Sequence, residues 1–206
     1  MGSAGMAAAA VRYLRSAGAR TAVEPVDPLP RPELRSVRED ERAPVEQAEF
    51  RRVLGNFATG VTVVTAPATT DDGPAGFACQ SFSSLSLDPP LVAFMVGRTS
   101  TTWPRIARAG VFCVNVLAAD QGELCRGFAV SGADKFAGVA YDASPATGSP
   151  RLTGAAAWID CTIHAVHTGG DHLIVVGRVE TLGAADATEV PPLLFHRGRF
   201  GEFTGI

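Results

Sequence analysis

Gly76-Phe77-Ala78-Cys79-Gln80-Ser81-Phe82-Ser83-Ser84-Leu85-Ser86-Leu87-Asp88-Pro89-Pro90, followed by the apolar run Leu91 to Val96, is the stretch on which the fold turns. Small hydroxyl and amide side chains alternate with apolar ones, and two prolines then remove consecutive backbone donors. The pattern predicts a strand feeding a polar turn of small residues. Two readings fit it. One is a serine-rich edge strand and loop. The other is a ligand site, because hydroxyl and main-chain donors leaving a strand can hold a flat polar ligand and its phosphate without a glycine loop.

On the N-terminal side, Val61 to Ala66 is β-branched enough for a strand, and Asp71-Asp72-Gly73-Pro74 is a turn, so the two strands form an antiparallel hairpin. Before it, Phe50, Val53, Leu54 and Phe57 recur at helical spacing opposite Arg51, Arg52 and Asn56, which predicts a short amphipathic helix ended by Thr59-Gly60. Residues 1–47 read differently. Pro25, Pro28, Pro30 and Pro32 are followed by mixed charge, and such text buries too little apolar surface to order itself. We expect a flexible extension over 1–47 and a single domain over 48–206.

On the C-terminal side, Gly97 to Thr102 starts a helix carrying Trp103, Ile106 and Ala107, which Gly110 ends. Val111 to Leu117 is a buried strand, Asp120 to Phe128 a helix, and Ser131 to Pro150 a polar loop. Ala155 to Val166, alternating with Ala157, Ile159, Cys161, Ile163 and Ala165 on one side and Trp158, Asp160, Thr162 and His164 on the other, and His172 to Glu180 are long strands joined through a glycine turn at His167 to Asp171, and Leu193 to Phe200 supplies a last strand. About six antiparallel strands with few helices predict a mainly β fold, a closed or nearly closed barrel without exposed edges.

Composition narrows the function. The chain has 206 residues, 46% hydrophobic and 19% charged, with net charge −3. Lys135 is its one lysine and the arginines are scattered, so the footprint of a nucleic-acid binder is missing. No apolar run approaches the roughly 18 residues of a membrane helix. Cys79, Cys113, Cys125 and Cys161 are too far apart for Cys-x-x-Cys sites, and buried thiols in a reducing cytoplasm are expected, with Cys79 the one placed to act. No Gly-x-Gly-x-x-Gly, Walker loop, histidine pair on a helix or Gly-x-Ser-x-Gly elbow occurs, and no metal is expected. The remaining signal is Gly170-Asp171-His172, where a histidine beside a carboxylate and two glycines can approach a ligand closely.

Five spaced motifs carry a resemblance. They are Phe50-Arg51-x-x-Leu54-Gly55-x-Phe57-Ala58-Thr59-Gly60-Val61-Thr62-Val63-Val64-Thr65, Cys79-Gln80-Ser81-Phe82 with Ser86-Leu87-Asp88-Pro89-Pro90, Phe112 to Leu117, Asp134-Lys135-Phe136 and Gly170-Asp171-His172. The chain resembles the flavin reductase family of two-component monooxygenases over about residues 48–201, and within it the actinobacterial branch with the reductases of steroid-ring hydroxylases. The resemblance implies an antiparallel Greek-key split β-barrel, usually a homodimer. It also implies transfer of a hydride from NADH, or NADPH, to N5 of FMN or FAD, and a separate oxygenase that receives the reduced flavin.

By the same resemblance, Thr59, Gly60, Val61 and Thr62 line the flavin, and Ala78, Cys79, Gln80 and Ser81 meet its ring system and ribityl chain. Ser84, Ser86, Arg98 and Ser100 take the phosphate end. Lys135 and Phe136 close over the site, and His172 helps to place the nicotinamide. Many relatives have Thr-Ala-Asn-Ser where this chain has Ala78-Cys79-Gln80-Ser81, which leaves FAD and FMN both open. Two rivals stand beside this reading: a flavin- or haem-binding split barrel without turnover, and a self-contained oxidase of the pyridoxamine-phosphate type, against which the single lysine counts.

Overall fold

The computed structural model describes residues 45–70, 72–132, 134–185 and 190–204. Most of the expected extension, residues 1–44, lies outside the described residues, as does Asp71 of the expected turn. Helix α1 (Gln47–Leu54) is followed by β1 (Thr59–Gly60), β2 (Thr62–Ala66), β3 (Ala75–Cys79), β4 (Ser83–Leu87) and β5 (Pro90–Gly97). Helix α2 (Trp103–Ala109), β6 (Val111–Val116), a short 3-10 turn and α3 (Gly122–Ala129) come next. The chain then forms β7 (Tyr141–Ala143), β8 (Pro150–Leu152), β9 (Ala157–Gly169), β10 (His172–Ala184), β11 (Leu193–His196) and β12 (Arg199–Glu202).

Seven strands form one antiparallel sheet in the order β3-β2-β6-β9-β10-β5-β4. Consecutive strands β5 and β6 are separated by β9 and β10, so the order is of the Greek-key kind and not a meander. Its two edge strands, β3 and β4, are joined in the chain by only Gln80, Ser81 and Phe82. So short a link brings both edges together, and the sheet curls into a barrel with one seam.

Ser81 fastens that seam: its hydroxyl accepts from Met95 N at 2.8 Å and donates to Met95 O at 3.0 Å. All five residues of β2 are buried, because Val64 faces the barrel core with Phe94, Phe112 and Val175 while Val63 faces a second cluster with Leu117, Phe128 and Leu193. A strand buried on both sides loses the polar alternation, and the two polar residues of this one, Thr62 and Thr65, bond their hydroxyls to main-chain carbonyls.

Four expectations are corrected. Ser83 to Leu87 is a strand and not part of the polar turn, since β5 offers it a ladder partner. Leu193 to Phe200 is not one strand: Arg197 and Gly198 take φ of 48° and 80°, and the chain reverses into a hairpin. The loop after Ser131 contains the hairpin β7–β8, whose Pro150 O and Leu152 N bond the buried Asn115 amide. Asp160, read as one face of an alternating strand, is fully buried, where it accepts from Ala146 N and Thr147 N at 3.0 Å each. Helix α1 forms but ends at Leu54 with Gly55 as its cap, short of Phe57 and the expected break at Thr59-Gly60, and none of its residues is buried.

Candidate active site

The barrel seam opens into a crevice of about 540 Å³. It is lined by Val61, Ala78, Cys79, Gln80, Ser81, Ser100 and His172 among the residues expected at the site. Three segments far apart in sequence meet here because β3 ends at the seam, β5 runs past it, and β10 pairs with β5 in a register that sets His172 across from Gly97. With no side chain on Gly97, the space beside the imidazole stays open. His172 Nε2 lies 3.9 Å from where a Cβ at Gly97 would stand.

The Asp171 carboxylate lies 2.8 Å from His172 Nδ1 and is held below the usual carboxylate range by that hydrogen bond. An ionised carboxylate only accepts, so Nδ1 carries the proton, leaving Nε2 toward Gly97. The two-residue turn Gly170-Asp171, with Gly170 at φ 68°, holds the pair at the hairpin tip, and Asp171 O accepts from Arg98 N at 3.0 Å.

Cys79 is a wall residue and not a nucleophile. Burial pushes its thiol up, and a weakly ionised thiol attacks poorly. Thr62, expected at the ligand, is instead buried behind the crevice, where its hydroxyl donates to Cys79 O at 2.9 Å. Gly60 pairs with Leu194 in a separate three-stranded sheet. Thr59 lines a neighbouring cavity of about 1010 Å³ together with Gln80 and Phe195, both of which also line the crevice. The Thr59 hydroxyl is buried without a hydrogen-bond partner.

Five further expected residues, besides Thr59, Gly60 and Thr62, stand apart from the crevice lining. Ser84 and Ser86 lie on β4, and the Arg98 side chain is exposed. Lys135 donates from Nζ to Gly76 O at 3.2 Å and Phe128 O at 3.0 Å, and burial draws its pKa down. Phe136 meets Phe128 and Tyr141 edge to face. Both therefore brace β3 against α3 where the resemblance implied closure over the ligand. Gly76 permits this packing, since a Cβ there would come within 2.7 Å of the Phe128 ring.

The crevice also holds residues that the sequence reading missed, notably Met95, Arg126, Phe195 and Phe200. Arg126 stacks 5.2 Å over Phe200, which packs on Phe195 with ring centroids 5.6 Å apart. Cys125, Arg126 and Ala129 share one face of α3 at helical spacing, a signal present in the sequence but without a strand to aim it at.

A flat, anionic ligand fits this donor set. β3 is paired only with β2, so its outer edge offers alternating main-chain N–H and C=O groups to a heteroaromatic ring edge. Gln80, Ser100 and Arg126 add polar donors, and among the described residues no carboxylate lines the crevice.

An antiparallel split barrel with an apolar crevice at its seam, carrying a few polar donors, is the fold and site of flavin-handling barrels. The description "flavin reductase like domain" matches residues 54–204, and the chain belongs to that family. Among curated relatives, the reductase subunit HsaB of a flavin-dependent monooxygenase from Rhodococcus jostii is 52% identical over 79% of each chain. An NADH-dependent FAD reductase of Streptomyces globisporus is 39% identical over 78% of this chain and 87% of its own.

Among solved structures, a homologue of nitrilotriacetate monooxygenase component B from Mycobacterium thermoresistibile superposes with a TM-score of 0.72. It has 46% identity over 77% of this chain and 87% of its own. The Streptomyces globisporus NADH:FAD oxidoreductase bound to NAD and FAD fragments superposes with a TM-score of 0.71. It has 39% identity over 77% of this chain and 93% of its own. Among the described residues no helix is long and apolar enough to cross a membrane.

Proposed function

We propose that the chain is an NADH-dependent flavin reductase that hands reduced FAD or FMN to a separate monooxygenase. The observation that carries this reading is the meeting of the β3 edge, Gln80 and His172 in one crevice. Family membership and the relatives' activities support it.

A bound flavin would supply the hydride-accepting chemistry and NADH the hydride. The protein supplies placement. Main-chain donors along β3 hold the ring edge and favour charge that develops there. The His172 ring, fixed by Asp171, would contact a nicotinamide and help to hold its C4 at transfer distance, about 3–3.5 Å. Gly97 leaves the room for that stack. No general base is needed for hydride transfer, so the Asp171–His172 pair is assigned a positioning role. Ser81 serves the ligand indirectly, by keeping the seam at the right width.

We further assign a homodimer, supported by Leu85 and Leu87, exposed by 55% and 84% on or beside the outer edge of β4. A cytoplasmic location accords with four free buried cysteines. The test is NADH oxidation by the purified chain against a grid of FAD, FMN and riboflavin. Turnover that requires added flavin, with bleaching of the flavin absorbance when oxygen is excluded, is expected. Flavin binding with an unchanged spectrum on NADH addition would establish the non-catalytic carrier instead.

A further inference from the structure

We infer that Lys135 is a positioning residue of the reductase crevice: by bonding β3 and α3 at once, it sets the register in which these two walls face a flavin ring. The inference rests on the reductase reading and adds to it a residue that does not itself line the crevice. The Lys135 ammonium donates to Gly76 O of β3 at 3.2 Å and to Phe128 O of α3 at 3.0 Å. Both elements supply lining residues, Phe77, Ala78 and Cys79 from β3 and Cys125, Arg126 and Ala129 from α3. The pinned carbonyls therefore belong to residues next to the lining on both walls, since Phe77 follows Gly76 and Ala129 follows Phe128.

Packing alone does not fix that register. Phe128 lies against the bare Cα of Gly76, and Phe136 meets the Phe128 ring edge to face with centroids 5.1 Å apart. Such contacts hold two elements at a set distance but have little preference along the strand, because apolar packing is non-directional. An ammonium shared by two carbonyls has a direction, and charge-assisted bonds are about twice as strong as neutral ones. Phe128 O lies in the last turn of α3, where carbonyls lack partners within the helix and the dipole favours a cation. Asp134 aims the pair: its Oδ1 accepts from Phe136 N at 3.1 Å, a side-chain turn that presents Lys135 and Phe136 to β3.

The same bonds decide which part of the β3 edge is left for a ligand. In an antiparallel strand the main-chain groups of every second residue point to the same side, so Gly76, whose carbonyl faces Lys135, and Ala78 share the outer edge. Lys135 occupies the acceptor at Gly76. Ala78, which lines the crevice, is thereby the position at which the edge meets the ring.

The test titrates FMN and riboflavin into Lys135→Met, Lys135→Arg and the parent chain. Binding is read by flavin fluorescence and by visible circular dichroism of the bound ring, with NADH oxidation and melting temperature measured alongside. Lys135→Met raises Kd and KM about tenfold for both flavins in the same ratio, alters the dichroism, and changes kcat by less than about twofold. Lys135→Arg, which keeps a charged fork of donors, returns both flavins to within about threefold of the parent. Gly177→Ala, a core clash with Phe112 outside the crevice lining, lowers the melting temperature and leaves flavin Kd in place, which separates register from stability. If Lys135→Met does not fold, Lys135→Gln carries the same comparison.

Parent-like Kd values without the ammonium would overturn the inference. So would a loss confined to FMN, which would make Lys135 a direct phosphate contact, or a loss that Gly177→Ala shares. The reductase reading fails separately, as absence of NADH oxidation by the parent chain with any flavin.

Discussion

Replacing Ser81 by alanine separates two roles for a residue that the family resemblance places at the ligand. Its hydroxyl makes two hydrogen bonds across the seam, to Met95 N and Met95 O, and touches Cys79 Sγ at 3.3 Å. Each such bond is worth about 0.5–1.5 kcal/mol net, and the seam is partly open, so water recovers some of the loss. The expected cost is about 1.5 kcal/mol. For a chain of this length that lowers the melting temperature by about 3–6 °C.

Differential scanning calorimetry and urea titration read the effect, with Ser84→Ala on the outer strand as the control that leaves the midpoint in place. The same variant raises KM for flavin, because the crevice widens where β3 and β5 part. An unchanged midpoint with a raised flavin KM would show that the hydroxyl binds ligand and that the seam is held by something else.

Three further outcomes are expected. A Cβ on Gly177 would stand 2.3 Å from Phe112 Cζ and 3.3 Å from Cys161 Cβ, in a core with no room to give, so Gly177→Ala destabilises by about 3 kcal/mol in urea unfolding. His172→Ala lowers kcat/KM for NADH about five- to tenfold, a loss near 1–1.4 kcal/mol of transition-state stabilisation, with the melting temperature unmoved since the imidazole is half exposed.

Burial, with the Asp160 carboxylate nearby, pushes the Cys113 thiol up to about 12 from an ordinary value near 9. Above pH 9 the unfolded chain therefore loses that proton while the folded chain keeps it, and stability falls as pH rises from about 9 to 12. Cys113→Ala flattens this alkaline slope in pH-dependent unfolding, and an unaltered slope would refute the assignment.

Much of the fold is legible in the sequence because backbone periodicity is local. β2, β6 and the β9–β10 pair are long apolar or alternating runs bounded by glycine, and Gly110 ends α2 in the left-handed conformation its identity suggests. The Arg197-Gly198 hairpin was hidden because a positive φ at arginine leaves no trace in composition. The strand at Ser83–Leu87 was hidden because its serines read as turn text until β5 is seen to pair with it. Asp160 looked like a surface residue of an alternating strand, and only the loop at Ala146 and Thr147, wrapped over its carboxylate, explains its burial.

By itself the sequence determined a mainly β chain, the motifs of the flavin reductase family, and Gln80, Ser81 and His172 as residues of interest, since residue type and short-range spacing carry that information. Tertiary structure alone decided which of them share a space. The register of β10 against β5 sets His172 opposite Gly97, and the curl of the sheet brings β3 to Met95. Packing of Phe128 into the gap at Gly76 turns Lys135 and Phe136 to a bracing role. Contacts between segments a hundred residues apart arise from the closure of the barrel, and no local pattern encodes where that closure falls.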